Sequence, residues 1–208
     1  MNLRSLNLRD IHFSEKERRD LLAAWGALGL AFAIFFGGGA VVFQWPIRFI
    51  ELLLISILTA GVGFLLHEIA HKVVAIHYGQ VAEFRANYNM LLIAVAASLA
   101  GFIFAAPGAV YHRGRITLTQ NAHISLAGPL TNIALGFLFL PLVLVSFPFV
   151  SEIGRYGVLI NFFLAAFNLI PFGPLDGKKV FDWNTPVFLV SFVGSIVLLI
   201  VAVLILLV

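Results

Sequence analysis

The sequence predicts an all-α polytopic membrane protein: about five transmembrane helices plus a re-entrant helix/strand element near residues 90–118. Three observations predict it. The chain is 61% hydrophobic and only 11% charged, where soluble domains carry about 25% charged residues. Its apolar residues fall into runs long enough to cross a bilayer, which takes about 20 residues of helix. Its polar residues gather in short segments between those runs. A polar lead, 1–20, reads as a cytoplasmic N-terminal tail, and 21–208 as a single membrane-embedded domain with its core at 52–182. The chain has no cysteine, so any metal site must use nitrogen and oxygen ligands. A net charge of +3 is too small to suggest nucleic acid as a partner.

The lead is too long and too charged for a cleavable signal peptide, so Leu21 to Phe43 reads as the first span. Gly37-Gly38-Gly39 is expected to loosen that helix or end it early. Gln44 to Glu51 reads as a short turn, with Trp45 suited to the membrane interface. The second run, Leu52 to Ile76, carries His67-Glu68-Ile-Ala-His71 near its C-terminal end. On a helix, residues four apart lie on one face, so both imidazoles can bind one ion with Glu68 beside them as a base. This is the H-E-x-x-H pattern of zinc hydrolases. Ionisable groups within an apolar span are costly and usually functional.

Met90 to Val110 is apolar but interrupted by Ala106-Pro107-Gly108. Two further runs follow, Ala122 to Val150 and Tyr156 to Ile170, with a polar turn between them. A second polar turn holds Lys178, Lys179 and Asp182, and Val187 to Val208 is a last span without charges. Catalytic zinc takes three protein ligands and keeps one position open. The candidates for the third are His77, Glu83, His112, His123, Glu152 and Asp176. Asp176 is the expected one, because a turn between Pro174 and Gly177 can present a carboxylate at membrane depth while neighbouring helices cover its backbone.

Three motifs in order carry a resemblance: His67-Glu68-x-x-His71, Gly128-Pro129-Leu-Thr-Asn132, and Asn168-x-x-Pro171-x-x-Pro174-x-Asp176-Gly177. Together they resemble the site-2 protease family of intramembrane zinc metalloproteases, in a compact form with neither PDZ nor nucleotide-sensing domains. The resemblance implies one zinc per chain held by His67, His71 and Asp176, with Glu68 as catalytic base. It implies hydrolysis of transmembrane protein substrates by zinc-activated water, in regulated intramembrane proteolysis. A membrane metal transporter or a non-proteolytic relative that binds membrane proteins are the alternatives. Intact Glu68 and ligands, gathered toward one face, weigh against both.

Topology supplies an independent constraint. If 90–110 crossed the membrane, Asp176 would finish on the side opposite the histidines. A segment that dips in and returns puts all three ligands together. It also places eleven of the thirteen basic residues on one side, which the positive-inside rule makes cytoplasmic. The stretch from Gly108 to Thr119 could then offer a strand edge to an extended substrate. Asn132 and Asn168 could bond the substrate backbone or a developing oxyanion.

Overall fold

The computed structural model describes residues 11–103 and 108–206. Ser14 caps the first helix, α1 (Glu15–Phe36), by accepting the Glu17 N–H at 3.1 Å. The helix therefore begins six residues before the apolar run, and Glu17 and Asp20 are buried on it. The glycines end it: Gly38 and Gly39 have φ of 83° and 78°, left-handed values that only glycine adopts without strain. One 3-10 segment, Gly39–Gln44, follows.

The second span is a single 32-residue helix, Pro46–His77. Its parts are α2 (Pro46–Ser56), one wider π turn (Ile57–Gly61) and α3 (Val62–His77). Residues 46–51 are thus helix rather than turn, because Pro46 sits at the first helical position, where its missing N–H costs nothing. At the π turn the Ile57 carbonyl accepts the Trp25 indole N–H from α1 at 3.2 Å. Gly61 gives that indole room, since a Cβ there would stand 2.5 Å from the ring.

Strand β1 (Val81–Ala86), helix α4 (Tyr88–Leu99) and strand β2 (Gly108–Arg113) come next. The strands pair antiparallel from Val81↔Arg113 to Ala86↔Gly108, so the chain leaves and returns at the same place. Helix α4 has 12 residues and reaches about 18 Å, too short to cross. This is the re-entrant element. Pro107, which the sequence marks as its reversal, lies outside the described residues.

Helix α5 (Leu118–Val143) starts at a capping box between Thr117 and Gln120. Helix α6 (Pro148–Asn168) starts early, so the break between spans falls at 144–147 and not at the polar residues 151–155. Pro148 again opens the helix, and the charge within its first turns is partnered. Arg48 grips Glu152 through two bonds of 2.8 and 3.0 Å, tying α2 to α6. Helices α7 (Asp176–Trp183) and α8 (Thr185–Leu206) complete the fold. Among the described residues, five helices are long and apolar enough to cross a membrane: α1, the α2–α3 unit, α5, α6 and α8. Leu28, Phe32, Phe64, Phe84, Ile160 and Leu164 form the main core where α1, α3, β1 and α6 meet.

The contact between α1 and the π turn yields a first prediction. Gly61→Ala should destabilise the protein by about 1–3 kcal/mol, the usual cost of overpacking, because the new methyl displaces the Trp25 ring. Thermal unfolding in detergent, followed by tryptophan fluorescence, would read the change. An unaltered midpoint would mean that the indole is not held there.

Candidate metal centre

Helix α3 delivers His67 and His71 from one face, one turn apart, and both are buried. Asp176, the first residue of α7, meets them from the far end of the sequence. Its Oδ2 lies 3.4 Å from His67 Nε2 and 3.1 Å from His71 Nε2, and the two Nε2 atoms are 2.9 Å apart. Tetrahedral zinc with bonds of about 2.0–2.1 Å sets its ligand atoms about 3.3 Å apart. The triangle fits that spacing.

The hydrogen bonds behind the rings decide their protonation. His71 Nδ1 lies 2.6 Å from the Ile124 carbonyl, which can only accept, so Nδ1 carries the hydrogen. Asn132 donates through Nδ2 to the Gly63 carbonyl at 3.1 Å and to Asn161 Oδ1 at 3.0 Å. Its Oδ1 is therefore the end that faces His67 Nδ1 at 2.6 Å, and that nitrogen too is a donor. Both Nε2 atoms then present lone pairs toward each other and toward the Asp176 carboxylate. Three electron-rich atoms converging in a buried place repel unless a cation joins them. Imidazoles oriented in this way through Nδ1 are the usual support of a metal site.

Helix α5 leaves room for an ion. A Cβ on Gly128 would lie 2.4 Å from His67 Nε2 and 2.5 Å from His71 Nε2. Glycine here keeps the helix backbone against the site without filling it. The donor set and the cradle both fit zinc.

A cavity of about 100 Å³ opens beside the triad, with Glu68, His112, Ser125, Asn168 and Lys179 on its walls and β2 along one side. Glu68 is buried, and its Oε2 has no hydrogen-bond partner among the described residues. Burial, and after it the Lys179 ammonium, hold the His112 imidazole below its ordinary pKa. Lys179 Nζ lies 3.5 Å from the second Asp176 oxygen.

The other candidate ligands are elsewhere. His123 bonds the Tyr78 hydroxyl at 2.6 Å, Glu83 pairs with Arg85, and Glu152 is held by Arg48. His77 and His112 are not in the metal-ligating group; His112 lines the cavity beside it. Asn168 lines the cavity as well, with one amide hydrogen given to the Leu164 carbonyl at 2.9 Å. Asn132, expected as a substrate or oxyanion contact, is not among the residues that line the cavity. It is fully buried behind His67 with both ends of its amide engaged, in a position to orient that imidazole.

The Ile124 carbonyl leaves no sign in the chain, since a backbone acceptor is not encoded by its residue type. Gly128 was visible inside the Gly128-Pro129 motif, but only the fold shows that its missing side chain is what the site needs. Ser125, whose buried hydroxyl has no partner among the described residues, was also missed.

Two predictions follow from this geometry. Asn132→Ala should weaken metal affinity about 10- to 100-fold, the usual worth of such an orienting group, measured by competition against a chromogenic chelator. Gly128→Ala should purify as a folded helical protein with little or no zinc by elemental analysis. Full zinc occupancy in Gly128→Ala would show that the ion does not sit between the two rings.

Among curated proteins, a Methanocaldococcus jannaschii protein named "Putative zinc metalloprotease MJ0611" is 42% identical over 176 residues, covering 83% of this chain and 86% of that one. A second protein of that organism, "Zinc metalloprotease MJ0392", is 30% identical over 141 residues, covering 65% of this chain and 33% of that longer protein. The Bacillus subtilis "Putative zinc metalloprotease YwhC" is 28% identical over 154 residues, covering 62% and 68%. No family model matches the chain. No solved structure matches it either.

Proposed function

The chain belongs to the zinc metalloprotease family of these relatives, and we propose that it is an intramembrane endopeptidase of the site-2 protease type. The observation that carries this reading is the location of the triad. His67 stands ten residues before the end of the second apolar helix, about 15 Å along it. Its substrates would be transmembrane proteins cut in regulated intramembrane proteolysis. The chain would cross the bilayer several times, with its N-terminus and active site toward the cytoplasm, where most of its basic residues would lie.

His67, His71 and Asp176 would hold the zinc. Once bound, the ion supplies Lewis acidity toward a carbonyl and makes water a nucleophile near neutral pH. Glu68 faces the same cavity with an unpartnered oxygen, so it can take the proton from attacking water and return it to the leaving amine. The apolar wall formed by Phe64, Val110 and Leu164 keeps bulk water away from that exchange. The Asn168 amide keeps a second N–H for a substrate carbonyl.

A peptide bond within a helix is shielded, so a substrate must be extended before it is cut. Strand β2 can hold it extended. The Phe84 N–H is bonded outside the sheet, to Glu17 Oε1 at 3.0 Å. The opposed pair Phe84↔Val110 is therefore one of the pairs that exchange no hydrogen bonds. Val110, and with it Gly108 and His112 two residues to either side, point their backbone groups off the free edge of β2. These same residues line the cavity. A substrate strand added there would run past Glu68.

Reconstituted with a single-span test substrate, the protein should cut it, and a chelator or Glu68→Gln should slow the cut by about 10²- to 10⁴-fold, as loss of a general base does. Cleavage that survives both would sink the mechanism. Val110→Pro should leave the β1–β2 pairing intact yet raise KM, because it deletes a donor used only by the substrate. An unchanged KM would place the substrate elsewhere.

A further inference from the structure

A buried ion pair joins three elements beside the site. Glu17 on α1 and Lys72 on α3 are fully enclosed, and Lys72 Nζ donates to Glu17 Oε2 at 2.5 Å. The other Glu17 oxygen accepts the Phe84 N–H of β1. Lys72 also donates to the His12 carbonyl at 2.5 Å and sits 4.1 Å over the Phe13 ring. Glu17 thus bonds, through one carboxylate, both the residue after His71 and the strand that supports β2.

We propose that Glu17 is a positioning residue for substrate: it closes the outer edge of β1 and fixes the β2 edge at a set distance from the catalytic helix. This rests on the reading of β2 as the substrate-binding edge. Three observations support it. The outer edge of β1 carries unpaired backbone groups that would otherwise accept a strand themselves. Glu17 takes the Phe84 N–H, and the Arg85 guanidinium takes the Phe84 carbonyl at 2.9 Å, so at this position that edge is occupied and the sheet accepts a partner only through β2. Movement of β1 is passed directly to β2, because the Phe84 ring lies against Gly108, where a Cβ would stand 2.7 Å from Cζ. The Phe84 ring also meets Phe64, on α3 one turn before Glu68, at 5.6 Å between centroids. The third observation is the choice of charges. Enclosing a carboxylate and an ammonium is expensive, and well-packed apolar residues generally serve stability as well or better. What the pair adds is direction. It joins strand and helix at defined atoms.

The test uses two variants of the full chain, both neutral at these positions and close to native volume. Glu17→Leu/Lys72→Met loses the bond to Phe84, and Glu17→Gln/Lys72→Met keeps an acceptor for it. In the leucine variant, hydrogen exchange should quicken at least tenfold across residues 81–86 and 108–113 while zinc content stays whole. KM for the single-span substrate should rise about tenfold, the worth of one or two hydrogen bonds, with kcat changed far less. Mass spectrometry of the products should show cuts at neighbouring bonds instead of one. The glutamine variant should recover most of the protection and the single cut. Faster exchange with an unchanged KM and cut site would overturn the proposal, leaving Glu17 only a stabilising role. So would exchange that does not change at all. A wild-type protein that cuts nothing would instead overturn the protease reading.

Discussion

The approach of α5 to α3 is the constraint on which the rest of the site depends. At one turn of α5 the Ile124 carbonyl receives the His71 ring, and at the next Gly128 brings backbone to within a methyl's reach of both Nε2 atoms. One turn further, Asn132 receives the His67 ring. Positions 124, 128 and 132 are four apart, so they form one stripe along the helix. That stripe matches His67 and His71 on α3, with the two helices running past one another. A carbonyl, an absence and an amide each do what their position requires.

The stripe has a cost that the surrounding helices meet. Polar groups inside a bilayer need partners within the protein, because lipid offers none. Asn132 passes its second hydrogen to Asn161 on α6, and Asn161 donates to the Gly157 carbonyl one turn earlier at 2.8 Å. Gly63 makes room for that arrangement, since a Cβ there would lie 2.5 Å from Asn161 Oδ1. A relay of hydrogen bonds therefore runs from α6 through α5 to the first ligand on α3. Each bond of this kind contributes on the order of 1 kcal/mol, and its larger effect is to fix ring orientation.

Much of this was legible in the chain. The apolar runs set the number of long helices, and the requirement that Asp176 reach the histidines calls for the re-entrant element. Both depend on period and length, which a sequence displays. Helix boundaries were less legible. Residues 15–20 read as part of a polar tail and 151–155 as a turn because they are charged, yet Glu17 and Glu152 are accommodated by Lys72 and Arg48, which lie 55 and 104 residues away. Partners so distant leave no local mark. Asn132 was visible as a polar residue in a span, but substrate contact and ligand support demand the same residue type. Only the direction of its amide separates them.

Lys72 also has its partner far away in the chain, at Glu17. Directly after a ligand and near the end of a span, a lysine is expected to reach for the interface with its long side chain. Here it turns inward, is 1% exposed, and finds a carboxylate, a carbonyl and an aromatic face. A charge held that way anchors whatever its partner touches. Glu17 touches β1, β1 supports β2, and β2 forms one wall of the cavity in front of Glu68. Helix α3 thus carries His67, Glu68 and His71 and, one residue on, the tether for the sheet opposite. On the proposed reading, metal and substrate edge would be set by a single rigid segment, and a strand bound along β2 would meet Glu68 at a fixed register.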